Sequence, residues 1–171
     1  MHTRPRAATL AALVLSAALI APAMVAAPRA EPAHDSDHVR ERAGVRILHA
    51  WTRATTDRTT LVFAEIENTG EAEVTLHGGT APIAEGGTLV GLTVKDGALS
   101  MVPLPPVPIA PGRELELAPD GLAIALHGLS RPLGEGDAFD LTFTFDFGTV
   151  EIPVAVERAD ARQHSHAHHH H

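Results

Sequence analysis

The sequence predicts an all-β domain, a sandwich or barrel of mainly antiparallel strands. From Val45 onward, short apolar runs alternate with turn-forming residues, and the breaks recur about every 8–12 residues. Within several runs, apolar and polar residues alternate with the period of two that a strand with one buried face requires. Phe139, Leu141, Phe143 and Phe145 are the clearest case. No segment of this region keeps a helical period.

Nine strands are predicted between residues 45 and 157, each bounded by turn chemistry. The breaks contain Asn68-Thr69-Gly70, Pro111-Gly112 and Pro119-Asp120-Gly121, which are combinations that favour turns. The predicted strands are Val45–Ala50, Thr60–Glu67, Glu73–Thr80, Thr88–Val94, Ala98–Val102, Glu114–Leu117, Leu122–His127, Ala138–Phe145 and Val150–Glu157. The single tryptophan, Trp51, is expected to be largely buried beside a mainly aliphatic core.

Composition excludes several functional classes. Lys and Arg number 13 against 21 Asp and Glu, a net charge of -8, so the chain lacks the basic surface typical of nucleic-acid binding. There is no cysteine, which excludes disulfides, thiolate metal sites and cysteine nucleophiles. No Gly-x-Ser-x-Gly, His-Glu-x-x-His or phosphate-binding glycine-rich loop is present, and we predict that the protein is not an enzyme.

The N-terminal region resembles an export signal. Basic residues in 2–6 precede a nearly uncharged apolar run over 7–27 that ends in small residues, as in a secretory signal peptide. A membrane anchor is the alternative, but Pro22 interrupts the run and alanine dominates it. We predict a signal peptide over residues 1–27 that is cleaved somewhere within 23–30, a polar linker over 28–43, and a soluble mature protein in the periplasm. Without cysteine there is no lipobox.

The C-terminal residues 159–171 differ in composition from the domain, and we predict a disordered, metal-binding tail. Imidazole suits Cu(II) and Zn(II), and a flexible chain can place several rings around one ion. Copper is the expected ion, more as Cu(II) than as Cu(I), with zinc as the alternative. A purification tag is the other interpretation. Two observations argue against it: the final histidine run is short, and other histidines precede it. The candidate ligands are His164, His166, His168, His169, His170 and His171.

Several stretches between residues 50 and 156 resemble the PCu(A)C family of periplasmic copper chaperones. The resemblance implies a cupredoxin-like β domain with Greek-key character over residues 44–158. The stretches that carry it are Ala50–Thr55, Ala64–Gly70, Ile109–Gly112, Leu117–Leu122, Leu126–Asp137, Leu141–Phe145 and Val150–Val156.

The copper motif of that family is degenerate in this sequence. The motif runs His or Met, ten residues, Met, twenty-one residues, then His-x-Met. With its first Met on Met101, the other three positions fall on Val90, Ala123 and Ala125, which are aliphatic. Met101 remains a weak candidate ligand, or fills an apolar gap. His127 is on the same strand face as position 123 but about 13 Å along the strand from it, which makes His127 only a weak second candidate. The alternative is that His127 is a surface histidine.

The resemblance implies an exported copper chaperone-like protein, and in this member we expect the histidine tail to do most of the metal binding. The implied partner is a copper-accepting subunit of a respiratory oxidase, or another copper chaperone. Two alternatives remain open: a metal-free domain that binds a protein partner, and a periplasmic copper or zinc buffer without a transfer role.

Overall fold

The computed structural model describes residues 39–95 and 97–164, and all regular structure in them is β-strand. None of these residues forms a helix that could cross a membrane. Eleven strands follow one another along the described part of the chain: β1 Val39–Arg42, β2 Val45–Arg53, β3 Thr59–Asn68, β4 Val74–Thr80, β5 Gly86–Lys95, β6 Ala98–Pro103, β7 Val107–Ile109, β8 Glu114–Leu117, β9 Leu122–His127, β10 Ala138–Phe145 and β11 Gly148–Glu157.

Hydrogen bonding joins these strands into one sheet that does not close into a barrel. The order is β6-β5-β9-β8-β3-β2-β11-β10-β4-β7, with β1 paired to β2 and β9 paired also to β3. Most pairs are antiparallel; β11 with β2 and β8 with β9 are the parallel pairs. The sheet folds over so that β4 packs near β5 and β9 without pairing to either. The all-β, cupredoxin-like fold class predicted from the sequence is confirmed.

The main core lies between the inner faces of the folded sheet, because alternate residues of each strand point inward. On β3, Val62, Ala64 and Ile66 face this core, and on β10 Leu141 and Phe143 do so; all are buried. The outer face of β3 is also apolar in part, because Leu61 and Phe63 lie on it. A second, smaller cluster covers that outer face, and it is where the candidate site lies.

All nine predicted strands are present, and two strands were missed. β7 lies in a proline-rich stretch, where missing backbone N–H groups argue against a strand. It is tolerated because β7 ends the sheet order and pairs only with β4. β1 is short and polar, and falls inside the predicted linker 28–43. It pairs with β2 through a tight hairpin in which Ala43 and Gly44 both have positive φ, 52° and 78°.

The ordered domain therefore extends beyond the predicted range 44–158 at both ends. Pairing of β1 to β2 moves its start to Val39, because backbone pairing orders a strand whose side chains are too polar for the core. At the other end, residues up to His164 are packed against the sheet, as described below. The predicted signal peptide 1–27 and residues 28–38 of the linker lie outside the described residues.

Candidate metal centre

The outer face of the sheet carries a small apolar cluster. Trp51 and Phe63, opposite one another on β2 and β3, are its largest members, with ring centroids 4.8 Å apart. Trp51 is only 5% exposed, as the sequence predicted. Val90 and Ala123 complete the buried part, and the residues packed against it are Leu61, Met101, Ala125 and Ala161.

The four positions of the resembled copper motif meet in this cluster. Val90 on β5 is directly opposite Ala123 on β9, and Ala125 lies two residues further along the same face of β9. Met101 on β6 pairs with the residue two beyond Val90, so it is the diagonal neighbour of Val90 on that face. The sequence-based placement thus brings the four together, with one thioether and three side chains that have no ligand atom.

The other weak candidate, His127, does not share a site with Met101. Along β5, His127 is opposite Gly86 and Met101 is opposite Leu92, six residues away. At about 3.3 Å per residue, these positions are roughly 20 Å apart. The His127 ring instead lies over Gly86, where a Cβ atom would come within 2.6 Å of the ring carbon Cε1. His127 is exposed at the sheet surface.

The chain after β11 returns across the apolar cluster and is held there by Arg53. The Arg53 Nε donates a hydrogen bond of 2.7 Å to the carbonyl of Ala161, although the two residues are 108 positions apart in sequence. The guanidinium carbon lies 5.8 Å from the centre of the Phe63 ring. Ala161 itself packs against the cluster. Arg53 therefore fixes the C-terminal segment, residues 159–164, to the face that contains the motif positions.

The C-terminal segment ends in a buried histidine. His164 is 2% exposed, its Nδ1 lies 2.6 Å from Oε1 of Glu157, and its ring centroid is 5.8 Å from that of His49. The predicted disordered tail 159–171 thus begins with a packed segment, because Arg53 and Glu157 both bind it. His166 and the run 168–171 lie outside the described residues.

Four glutamates form an acidic stripe beside this histidine pair. Glu65 is opposite Glu116 and Glu67 is opposite Glu114 across the β3–β8 pairing. Burial, followed by the charges of Glu65, Glu67 and Glu116, raises the pKa of Glu114 above its ordinary value of 4.5. Like charges placed directly opposite one another destabilise a sheet. The charge of Glu67 is compensated, because Arg46 donates a 2.6 Å hydrogen bond to its carboxylate.

A small cavity connects the stripe and the histidines. It has a volume of about 80 Å³, and His49, His164, Glu65, Glu116 and Trp51 are among its lining residues. Across residues 39–95 and 97–164, no group of three or more His, Cys, Asp or Glu side chains is arranged to hold a metal ion. The sequence did not single out His49 or Glu157, because neither belongs to a local motif and only the return of the chain brings them to His164.

Comparison with known proteins identifies the family. Residues 45–156 match the family described as "Putative lipoprotein LpqE-like". The chain belongs to the LpqE-like family. One relative, described as "Putative lipoprotein Lxx21020" from Leifsonia xyli subsp. xyli (strain CTCB07), is 32% identical over 126 residues, which are 73% of this chain and 75% of the relative.

The fold of this LpqE-like protein is shared with PCuAC domains. The apo PCuAC domain of PmoF1 superposes with a TM-score of 0.60 at 22% identity, covering 71% of this chain and 99% of that domain. The Cu(I) form of DR1885 from Deinococcus radiodurans gives a TM-score of 0.50 at 27% identity, over 65% of this chain and 76% of that one. These likenesses agree with the resemblance found in the sequence.

Proposed function

We propose that this LpqE-like protein is an exported copper-handling chaperone that binds copper mainly through its C-terminal histidines. Structural neighbours described as copper-bound, a PCuAC domain of PmoF2 and the Cu(I) form of DR1885, support copper as the cargo. The candidate ligands are His164, His166, His168, His169, His170 and His171. Their imidazoles favour Cu(II) over Cu(I), with Zn(II) as a competing ion.

The observation that carries this proposal is the attachment of the C-terminal segment to the sheet. Arg53 and Glu157 hold residues 161 and 164, so the histidine-rich residues that follow start at a defined place on the domain. Ligands that follow a fixed point of the chain are confined near that point, which raises their effective concentration there. The tail can then bring a bound ion to the outer face of the domain.

The motif positions themselves contribute little to copper binding in this proposal. Met101 offers one thioether, whereas Val90, Ala123 and Ala125 offer none, and a single thioether does not hold copper tightly. The loss of ligands in the domain and the gain of histidines after it are complementary. In this proposal the main copper ligands are therefore the C-terminal histidines, and not the motif positions on the sheet.

The proposed destination of the copper is an acceptor outside the cytoplasm, either a copper-accepting oxidase subunit or another copper chaperone. Export is supported by the N-terminal apolar run over 7–27 and by the lipoprotein descriptions of the family and its relative. The 171 residues contain no cysteine, the residue that carries the lipid of bacterial lipoproteins. We therefore propose a soluble periplasmic form after signal cleavage.

The test is to remove the tail while leaving the attached segment in place. A chain that ends at His164 lacks five of the six C-terminal histidines but keeps the contacts of Arg53 and Glu157. We expect the number of bound Cu(II) ions and the apparent Cu(II) affinity to fall, the affinity by at least about tenfold. Isothermal titration and Cu(II) electron paramagnetic resonance measure both.

The matched control keeps the tail length and changes only its chemistry. Replacing His166 and the four histidines of 168–171 by asparagine should reduce Cu(II) binding as much as the truncation does. His77→Asn, on the exposed surface of β4, should leave it unchanged. Equal Cu(II) affinity of the full and truncated chains would refute the tail as the main copper ligand.

A further inference from the structure

We propose that His49 and His164 form a second metal site, on the folded domain itself, with Glu157 orienting the His164 ring. The site takes a cation that imidazole prefers, copper or zinc. Only the choice of copper as its physiological ion rests on the proposed function. The site itself rests on the geometry of three residues that come from two strands and the C-terminal segment.

The spacing of the two imidazoles fits a shared ion. Their centroids are 5.8 Å apart, with the ring planes inclined by 52°. A metal bonded to one nitrogen of each ring at about 2.0 Å lies about 3 Å from each centroid, so rings that share an ion have centroids about 5–6 Å apart. The observed separation lies in that range.

Glu157 occupies the position of an orienting carboxylate. Metal-binding histidines commonly donate one ring N–H to a carboxylate, which fixes the tautomer and leaves the other nitrogen to bind the ion. The Nδ1 of His164 lies 2.6 Å from Glu157 Oε1. With Nδ1–H donated to Glu157, Nε2 is the coordinating atom of His164. Glu157 is thus a positioning residue.

His49 is held in place by an irregularity of β2. The register between β2 and β3 shifts between Leu48 and Trp51, which is a β-bulge, and His49 has φ of 51°. A non-glycine residue in this left-handed region costs energy, and such strain tends to occur at functional positions. The bulge keeps Trp51 on the outer face and brings the His49 ring to that of His164.

The surroundings favour a cation at this place. The cavity of about 80 Å³ that both histidines line also contains Glu65 and Glu116, two members of the acidic stripe. Carboxylates this close produce a negative potential that concentrates cations. Cu(II) and Zn(II) bind three or four ligands, so the two imidazoles leave their remaining positions to water. Cu(I), which accepts fewer ligands, needs only the pair.

The test compares His49→Asn with its parent in two backgrounds, the full chain and the chain ending at His164. Asparagine tolerates positive φ better than most residues, so the substitution removes the imidazole with little backbone penalty. We expect the chain ending at His164 to bind one equivalent of Cu(I), measured by competition with bicinchoninate, and His49→Asn to weaken that binding at least about tenfold. His77→Asn is the matched control and should have no effect.

Nuclear magnetic resonance of the histidine rings identifies the ligands directly. On addition of Zn(II) to the full chain, the ¹⁵N resonances of His49 and His164 should shift together. Glu157→Gln should move the His164 Nδ1 resonance before metal is added and lower the affinity about 10–100-fold, as loss of an orienting carboxylate does. His49→Gly, which tolerates the same φ, is the second variant if His49→Asn does not fold.

The outcomes separate this site from the tail. In one outcome, the chain ending at His164 binds Cu(I) through His49, and removal of the tail leaves Cu(II) binding unchanged. This outcome supports the domain site and refutes copper binding by the tail. In another outcome, Cu(II) binding requires the tail, and His49→Asn changes neither the metal affinity nor the ring resonances. This outcome supports copper binding by the tail and refutes the domain site. Absence of metal binding by the chain ending at His164, with His49 unshifted in the full chain, also refutes it.

Discussion

Arg53→Met is the perturbation that most directly tests how the C-terminal segment is held. Arg53 is half-buried, donates a 2.7 Å hydrogen bond to the Ala161 carbonyl and lies over the Phe63 ring at 5.8 Å. Methionine keeps an unbranched apolar stem against the ring but has no donor and no charge. The substitution therefore removes the hydrogen bond while preserving much of the packing.

The expected effect is on the opening of the segment and not on the fold. A hydrogen bond to a charged group contributes about 1.5–3 kcal/mol to stability, and we take about 2 kcal/mol because Arg53 is partly exposed. This corresponds to an increase of roughly 30-fold in the population in which residues 159–164 are detached from the sheet. The eleven strands do not depend on this contact, so the melting temperature should change little.

Limited trypsin digestion measures the opening. Arg162 lies in the attached segment, and cleavage after it requires the backbone there to leave the sheet and enter the protease. When opening is fast relative to cleavage, the rate follows the open population. Mass spectrometry of the peptide released at Arg162 should show roughly 30-fold faster cleavage in Arg53→Met, with unchanged cleavage after Arg113 in the turn before β8.

Arg58→Met is the matched control. Arg58 forms an exposed ion pair of 2.8 Å with Glu85 and contributes no contact to the C-terminal segment. Exposed pairs of this kind contribute little to stability, so cleavage after Arg162 should be unaffected. A folded Arg53→Met protein that is cut after Arg162 within twofold of the parent rate would show that Arg53 does not hold the segment.

Two further predictions concern the sheet itself. Joint substitution of Val90→His, Ala123→His and Ala125→Met should create Cu(I) binding measurable by bicinchoninate competition, at a cost of about 1–3 kcal/mol in stability because position 123 is fully buried. Loss of that binding on adding Met101→Leu is the control, and no gain in Cu(I) affinity would refute the motif placement. Glu114→Gln should raise the melting temperature at pH 7. The folded state raises the pKa of Glu114 above 4.5, so its destabilising charge is absent below about pH 4 and develops as pH rises through the folded pKa. A stabilisation equal at pH 4 and pH 7 would contradict this cause.

The strands could be predicted from the sequence because their signals are local. Period-two alternation in β10 and turn residues such as those at 119–121 depend only on neighbours in the chain. β7 was missed for an equally local reason, since prolines argue against a strand unless it lies at an edge. Position in the sheet is a property of the whole fold, and the residues of β7 do not encode it on their own.

The candidate site was predicted only in part. The meeting of Val90, Ala123, Ala125 and Met101 followed from a family resemblance that placed known strand positions onto this chain. Of the second cluster, the sequence predicted only that Trp51 is buried, and its contact with Phe63 depends on the pairing of β2 with β3. That the C-terminal segment covers it could not be read from composition, because the residues after 158 look like a solvated tail.

The sequence by itself determined the fold class, the absence of cysteine chemistry, and the concentration of histidines at the C-terminus. These follow from residue type and short-range spacing, which fix how a strand alternates and what chemistry a segment can supply. Only the tertiary structure decided which strands meet, and with them the opposed glutamates of β3 and β8 and the approach of His49 and Glu157 to His164. The reason is physical: alternation sets the face on which a side chain lies, whereas its partner on that face depends on pairing between distant segments, which no local pattern specifies.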